Sequence, residues 1–319
     1  MKYFLGIELG VKNINVGVVD QHGKLLRKES IPTKKERPFS EIMKDIADLS
    51  LSVLDDEAVD IKNVKYIGIG SPGIPDNEKG TIIKNYTLNF SNTPIREELQ
   101  KHINLPVYID NDANCAALAE SVAGAAEDIS SSVLVRIGTG IGGGIIIHEK
   151  IHSGFNSAGA ELGHMVIAYG GEPCTCGRKG CWESYASATA LIKQTREAAE
   201  KDKDSLIYRI VNGDPDQINE LTAFEAAKRG DAVARQVVAR YIDYLSEGIT
   251  NLINILMPEA IIIGGEIKHA GDALLKPLMA SVHNKIYCRE VKLPDFRIAE
   301  LGTAAVVVGA AMLGLYSHR

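Results

Sequence analysis

The chain is 319 residues long and 45% hydrophobic, with 35 basic against 41 acidic side chains and a formal charge of −6. That is enough apolar material for two cores of ordinary domain size, and with no basic block it excludes electrostatic capture of nucleic acid. No uninterrupted apolar run reaches the length of a membrane span. The first residues enter a strand-like run at 3–9 without a basic leader or a cleavage site, so a soluble, cytoplasmic protein is expected.

In chain order, residues 3–20 (YFLGIELGVKNINVGVVD) predict two antiparallel strands joined by a turn at 10–13, and His22-Gly23 turns the chain into a third strand at 24–30. Ile42, Ile46, Leu49 and Val53 recur at helical spacing within 39–54, where Ser40 is placed to start a helix. A buried strand at 64–69 runs into the turn Gly70-Ser71-Pro72-Gly73, and loops at strand ends of α/β sheets are where ligands sit. A short helix at 95–102 and a strand at 107–110 then deliver the run DNDANCAALAE to the same edge. Asn111 and Asp112 fall at the strand end, next to a helix N-terminus that favours a carboxylate. Asp112 reads either as a polar-ligand group or as a simple N-cap.

Residues 133–147, VLVRIGTGIGGGIII, predict two strands around a glycine hinge. Gly138, Gly140, Gly142, Gly143 and Gly144 leave backbone N–H groups unobstructed and Thr139 adds a hydroxyl, which suits phosphate. The loop lacks the Gly-Lys-Ser/Thr ending of a Walker loop and is not followed by a helix, so a purely structural hairpin is the competing reading.

The stretch 161–183, ELGHMVIAYGGEPCTCGRKGCWE, holds three of the five cysteines beside a histidine. His164, Cys174, Cys176 and Cys181 have the types and spacing of a closed tetrahedral zinc site, structural because four protein ligands leave no place for water. The alternative is a disulfide pair plus a spare thiol. Glu161 and Glu183 flank the ligands and are candidates for gripping a polar ligand. Cys115 and Cys288 read as ordinary buried thiols, and His22, His102, His148, His152, His269, His283 and His318 as surface or packing residues.

Residues 189–201 and 223–257 predict helices, the second broken near Gly230-Asp231, interrupted at Gly248 and stopped by Pro258. A buried strand at 260–263 ends in Gly264-Gly265-Glu266, where two glycines permit close approach of a ligand. An Ala/Gly-rich helix at 302–316 closes the chain, and the strand meander of the opening recurs weakly after residue 131.

Together these stretches resemble the ROK family of sugar kinases and related repressors. CTCGRKGCWE at 174–183 matches the family's Cys-x-Cys-Gly-x-x-Gly-Cys-x-Glu motif at every fixed position, and Glu161-Leu162-Gly163-His164 matches its Glu-x-Gly-His. GTGIGGG at 138–144 resembles the second phosphate loop, IGGE at 263–266 the adenosine strand, and NDAN at 111–114 the catalytic strand end. The resemblance implies a two-lobed α/β actin-like ATPase (ribonuclease H-like) fold with a structural zinc site, closing over ATP and a hexose. The lobes are expected at 1–115 with 300–319 and at 116–299.

It also implies roles. Asp112 is the expected general base, with Asn111, Glu161, His164, Glu183 and the turn ending in Gly73 holding sugar hydroxyls. Gly10, Lys12, Asn13, Gly138, Thr139, Gly140, Gly142, Gly264 and Gly265 are expected at the nucleotide, with Mg²⁺ accompanying ATP. The family's habit implies a homodimer or homotetramer. A glucokinase-like activity is favoured, with N-acetylmannosamine, N-acetylglucosamine, allose and fructose as other acceptors.

The chain departs from the family in two places. The first phosphate hairpin, Asp-x-Gly-Gly-Thr in the kinases, reads Glu8-Leu9-Gly10-Val11-Lys12 here. That is either decay toward a sugar-binding, non-catalytic protein or a substitution in which Lys12 meets phosphate as a point charge. The intact glycine loop, Asp112 and an opening without the repressors' helix-turn-helix favour catalysis. At 86–90, YTLNF, Thr87 stands where the family has a sugar-facing asparagine, which leaves the identity of the sugar open.

Overall fold

A computed structural model describes residues 2–316; His318 lies outside the described residues. The chain divides into two compact units, one made of residues up to Leu134, Gly144–Ala160 and those from Glu300 onward, the other of Val135–Gly143 and Glu161–Ala299. Among the described residues no helix is long and apolar enough to cross a membrane.

The first unit opens with the expected meander, β1 (Tyr3–Leu9), β2 (Asn13–Asp20) and β3 (Leu25–Pro32), paired antiparallel in sequence. Helix α1 (Phe39–Asp56) follows, and it starts at Phe39 behind Pro38 with no side-chain cap, so Ser40 does not cap it. Strand β4 (Val64–Ser71) then lies parallel to β1. Beyond it, where the sequence pattern predicts no element, the chain forms a small antiparallel sheet of β5 (Ile74–Asp76), β6 (Thr81–Asn85) and β7 (Phe90–Thr93). Strands this short carry too little alternation to be recognised. Helix α2 (Ile95–Gln100) leads to β8 (Val107–Asn111), parallel to β4, and α3 (Asp112–Ala123). The main sheet runs β3-β2-β1-β4-β8 over a core of Leu5, Ile7, Val16, Ile42, Ile46, Ile67 and Ile109.

A second five-stranded sheet contains β9 (Ser132–Ile137), β10 (Ile141–Ile147) and the short β11 (Lys150–Ile151). Five helices of the second unit follow: α4 (Glu183–Ala186), α5 (Ala188–Lys201), α6 (Leu206–Ile210), α7 (Thr222–Lys228) and α8 (Ala232–Leu256). The break between α7 and α8 falls where Gly230-Asp231 predicts it, with Asp231 capping Ala234 N–H. Gly248 interrupts nothing, because α8 runs through it. A Cβ there would sit 2.1 Å from the ring of Trp182, so the glycine makes room for an indole. Strand β12 (Ala260–Gly264), helix α9 (Asp272–Lys285) and strand β13 (Asp295–Ile298) complete this part, the last two unforeseen from the pattern. The sheet order β11-β10-β9-β12-β13 repeats that of the first sheet, a hairpin meander followed by a parallel pair, so the weak recurrence after residue 131 is a duplicated topology.

Helix α10 (Ala305–Tyr316), entered through a turn of 3₁₀ helix at Gly302–Ala304, belongs to the first unit. A Cβ on Gly6 or Gly68 would come within 1.9 Å and 1.7 Å of its Val307 and Ala310 carbonyls, so the helix backbone lies directly on β1 and β4. This explains its small residues: bulk on either side would lift it off the sheet.

Candidate functional site

In the first unit, strand register assembles the site. Glu8 pairs with Gly70 and Gly70 with Asp110, so the chain leaves β1, β4 and β8 at one sheet edge. The β1–β2 hairpin ends there at Gly10, Lys12 and Asn13, closed by Gly10 N–H donating to Asn13 O at 3.0 Å. Buried Thr33 buttresses the tip, its hydroxyl donating to Gly10 O at 2.7 Å and its N–H to Lys12 O at 2.9 Å. Val11 packs half-buried against the core, Lys12 is exposed, and the Glu8 carboxylate accepts Asn15 Nδ2–H at 2.7 Å.

Beside it, Asn111 Nδ2–H donates to Gly73 O at 3.1 Å, while Asn111 Oδ1 accepts Ala113 N–H at 2.8 Å. Asn111 is therefore the N-cap of α3 and Asp112 its first residue, which removes the simple-cap reading of Asp112. Asp112 is left half-buried in the first turn of that helix. Thr87 is exposed, its hydroxyl donating to Asn85 Oδ1 at 2.8 Å. Asn85, the last residue of β6, carries no signal in the sequence, since nothing in the run NYTLN distinguishes it from an ordinary surface asparagine.

In the second unit, His164, Cys174, Cys176 and Cys181 place their ligand atoms within 4.8 Å of one another and could hold a metal ion. His164 Nδ1 is 3.6 Å from Cys174 Sγ, and Cys176 Sγ is 3.6 Å from Cys181 Sγ. Around a tetrahedral zinc with ordinary bond lengths, N···S and S···S separations come to about 3.6 Å and 3.8 Å, so the donor set fits. All three thiols are free, against the disulfide alternative. Burial pushes the Cys181 thiol up to about 12, whereas the Arg178 backbone N–H lowers that of Cys176. Cys288 is half-exposed rather than buried, and Cys115 is buried as expected.

The Glu183 carboxylate binds on both sides. Oε2 accepts Ile141 N–H at 3.1 Å at the start of β10, and Oε1 takes the Cys174 thiol at 3.5 Å, 3.8 Å from His164 Nδ1. The turn of 3₁₀ helix at Leu162–His164, with exposed Glu161 at its head, packs on the same place, since a Cβ on Gly163 would meet Ile141 O at 2.2 Å. Gly138, Thr139, Gly140 and Gly142 form or adjoin the β9–β10 hairpin, closed by Gly138 N–H to Gly140 O at 2.9 Å. Gly264 ends β12, and Gly265, at φ +95°, sits so near Ile137 that a Cβ would lie 1.8 Å from its carbonyl. The two glycine stretches are thus neighbours in this unit, beside Glu183 and the Cys/His cluster.

The ROK family model matches residues 4–316. A glucokinase of Thermotoga maritima is 36% identical over 312 residues, covering 97% of this chain and 96% of that one. A xylose repressor of Caldicellulosiruptor bescii is 30% identical, covering 96% of this chain and 76% of the repressor. Among solved structures, a ROK family glucokinase from Streptomyces griseus in complex with glucose and AMPPNP superposes with a TM-score of 0.80 at 30% identity, over 98% of each chain. The fold is the α/β actin-like ATPase fold of these neighbours, and the chain belongs to the ROK family.

Proposed function

We propose that this protein is a sugar kinase that moves the γ-phosphoryl group of ATP to a hexose hydroxyl, with a glucokinase-like preference. The observation that carries the reading is the register Glu8–Gly70–Asp110, which brings the phosphate hairpin and the β8–α3 junction bearing Asp112 to one sheet edge. Its named relatives include kinases of that class.

In this reaction the sugar oxygen attacks the γ-phosphorus, the bond from that phosphorus to the bridging oxygen breaks, and ADP leaves. Asp112 accepts the proton of the attacking hydroxyl. It is a half-buried carboxylate at the β8–α3 junction, the type of group that serves as a general base. Asn111, tied to Gly73, offers an amide to a neighbouring hydroxyl. In the second unit Glu161, Glu183 and His164 are the hydroxyl-reading set. With Nδ1 of His164 toward Cys174, Nε2 remains for a hydroxyl.

Phosphoryl transfer asks mainly for alignment and charge stabilisation, which the backbone N–H groups of Gly138–Gly142 and Gly264-Gly265 and the Lys12 ammonium supply to the phosphates of Mg-ATP. The metal assigned to His164, Cys174, Cys176 and Cys181 is zinc, and its part is to fix the loop that carries Glu183. Thiols that bind metal instead of pairing fit a cytoplasmic setting.

A sugar-binding protein without turnover is the second reading, favoured by Val11 and Lys12 in the hairpin and by the repressor among the relatives. ADP release measured across glucose, mannose, allose, fructose, N-acetylglucosamine and N-acetylmannosamine separates the two. Turnover with at least one sugar supports the kinase. Calorimetric sugar binding with no ADP supports the sensor.

A further inference from the structure

Asn85, at the end of β6, is 2% exposed, yet it carries a polar amide with four partners. Its Oδ1 accepts the Thr87 N–H at 2.9 Å, the Thr87 hydroxyl at 2.8 Å and the Leu88 N–H at 2.9 Å. Its Nδ2 donates to Pro72 O at 2.6 Å. The orientation of the amide follows from these partners, since two backbone N–H groups can face only an oxygen and a carbonyl only an N–H. The single side chain thus ties the loop of Thr87 to the turn at Pro72-Gly73.

Gly73 in turn is pressed against this residue. Its φ is +99°, and a Cβ would come 2.4 Å from Lys84 O and 2.9 Å from Asn85 Cβ. The Gly73 carbonyl is the acceptor for Asn111 Nδ2, and Asn111 caps the helix whose first residue is Asp112. A continuous series of hydrogen bonds and one tight backbone contact therefore runs from Thr87 through Asn85 and Gly73 to Asn111, all within the first unit.

We propose that Asn85 is a positioning residue for the sugar: it sets where Thr87 and the Gly73 turn stand relative to Asn111. It also fixes what Thr87 can offer. With its hydroxyl hydrogen committed to Asn85, Thr87 has only acceptor capacity and a methyl group left for a ligand. At this corner the site takes a sugar substituent that donates a hydrogen bond. The inference rests on the sugar-kinase reading, since it concerns the same site.

The test uses the full-length enzyme with whichever sugar of the six-member panel has the lowest KM. Asn85→Ala removes both halves of the tie. Asn85→Asp keeps the three acceptor contacts and sets an oxygen against Pro72 O, so it isolates the link to the turn. Both are expected to raise the KM for sugar at least tenfold while the KM for ATP stays within twofold of wild type. Thr87→Val, which removes the acceptor but not the loop, is expected to raise the sugar KM less than Asn85→Ala does.

Sugar and ATP constants that move together, or a sugar KM within twofold of wild type in folded Asn85→Ala, overturn the proposal and leave the kinase reading standing. If wild type binds sugar without turnover, Kd from calorimetry replaces KM with the same expectation. A wild type that takes no sugar overturns the reading of the site itself, and the role of Asn85 with it.

Discussion

Glu120 Oε1 accepts the backbone N–H of Leu301 at 3.0 Å across 181 residues of chain, and its Oε2 accepts the N–H groups of Glu300 and Ala125 at 3.1 Å and 2.9 Å. The carboxylate is 1% exposed on α3, the helix that begins with Asp112, and it holds the chain just where the first unit resumes at Glu300. Three backbone donors satisfy the charge that burial would otherwise penalise.

Glu120→Gln keeps the volume but turns an amide N–H toward a backbone donor. It is expected to cost about 3 kcal/mol of stability, the scale for leaving buried donors facing no acceptor. Urea unfolding followed by circular dichroism measures it; a midpoint equal to wild type would show that these three bonds hold nothing.

Gly248→Ala drives a methyl into the indole of Trp182, whose Nε1–H donates to Tyr244 O at 3.0 Å. Overpacking of this kind costs about 3 kcal/mol. Trp182 lies between Cys181 and Glu183, so the displacement reaches both the metal ligands and the carboxylate. As Trp182 is the one tryptophan of the chain, its fluorescence reports the shift directly. An emission maximum and melting temperature both unchanged would contradict this packing.

Asp112→Asn removes the proton acceptor and retains shape and polarity. Turnover is expected to fall by ~10²–10⁴ with sugar affinity kept within a few-fold. Paired measurements of kcat and of sugar binding by calorimetry decide it, and a wild-type kcat refutes the role.

Purified protein is expected to carry about one zinc per chain, measured by plasma mass spectrometry, and to lose it in Cys174→Ser or Cys181→Ser. Because Glu183 touches Cys174, loss of the ion is also expected to raise the sugar KM more than the ATP KM. Metal-free protein with full sugar affinity would separate the cluster from the site.

Lys12→Ala tests whether the altered hairpin works by substitution. Its exposed ammonium at a buttressed tip is expected to contribute roughly tenfold in the KM for ATP, about 1.4 kcal/mol, weakening with salt. An ATP KM indifferent to both the substitution and ionic strength favours the decayed-hairpin reading.

Much of the site was legible because its signals are local. His164 and the three cysteines lie within one short stretch, and a closed metal site needs those types at that spacing, so the cluster could be read before any fold was known. The glycine turns at 10, 73, 138–144 and 264–265 announced themselves for the same reason, as did Asn111-Asp112 between a strand and a helix. Gly248 misled, since a glycine in a helix looks like a break until the indole lying against it is known. Asp112 read either as a ligand group or as the N-cap because a shift of one residue in where β8 ends decides which side chain caps α3, and Asn111 takes that place by accepting Ala113 N–H.

The amino-acid order by itself determined the family, the α/β class and the identity of the chemical groups, since these depend on residue types at short separations. Only the tertiary structure decided which groups meet: Glu8, Gly70 and Asp110 in one row, Asn85 between Thr87 and the Gly73 turn, Glu120 beneath Leu301. Hydrogen bonds act over a few ångströms of space, and residues far apart in sequence come that close only once strands pair and helices pack.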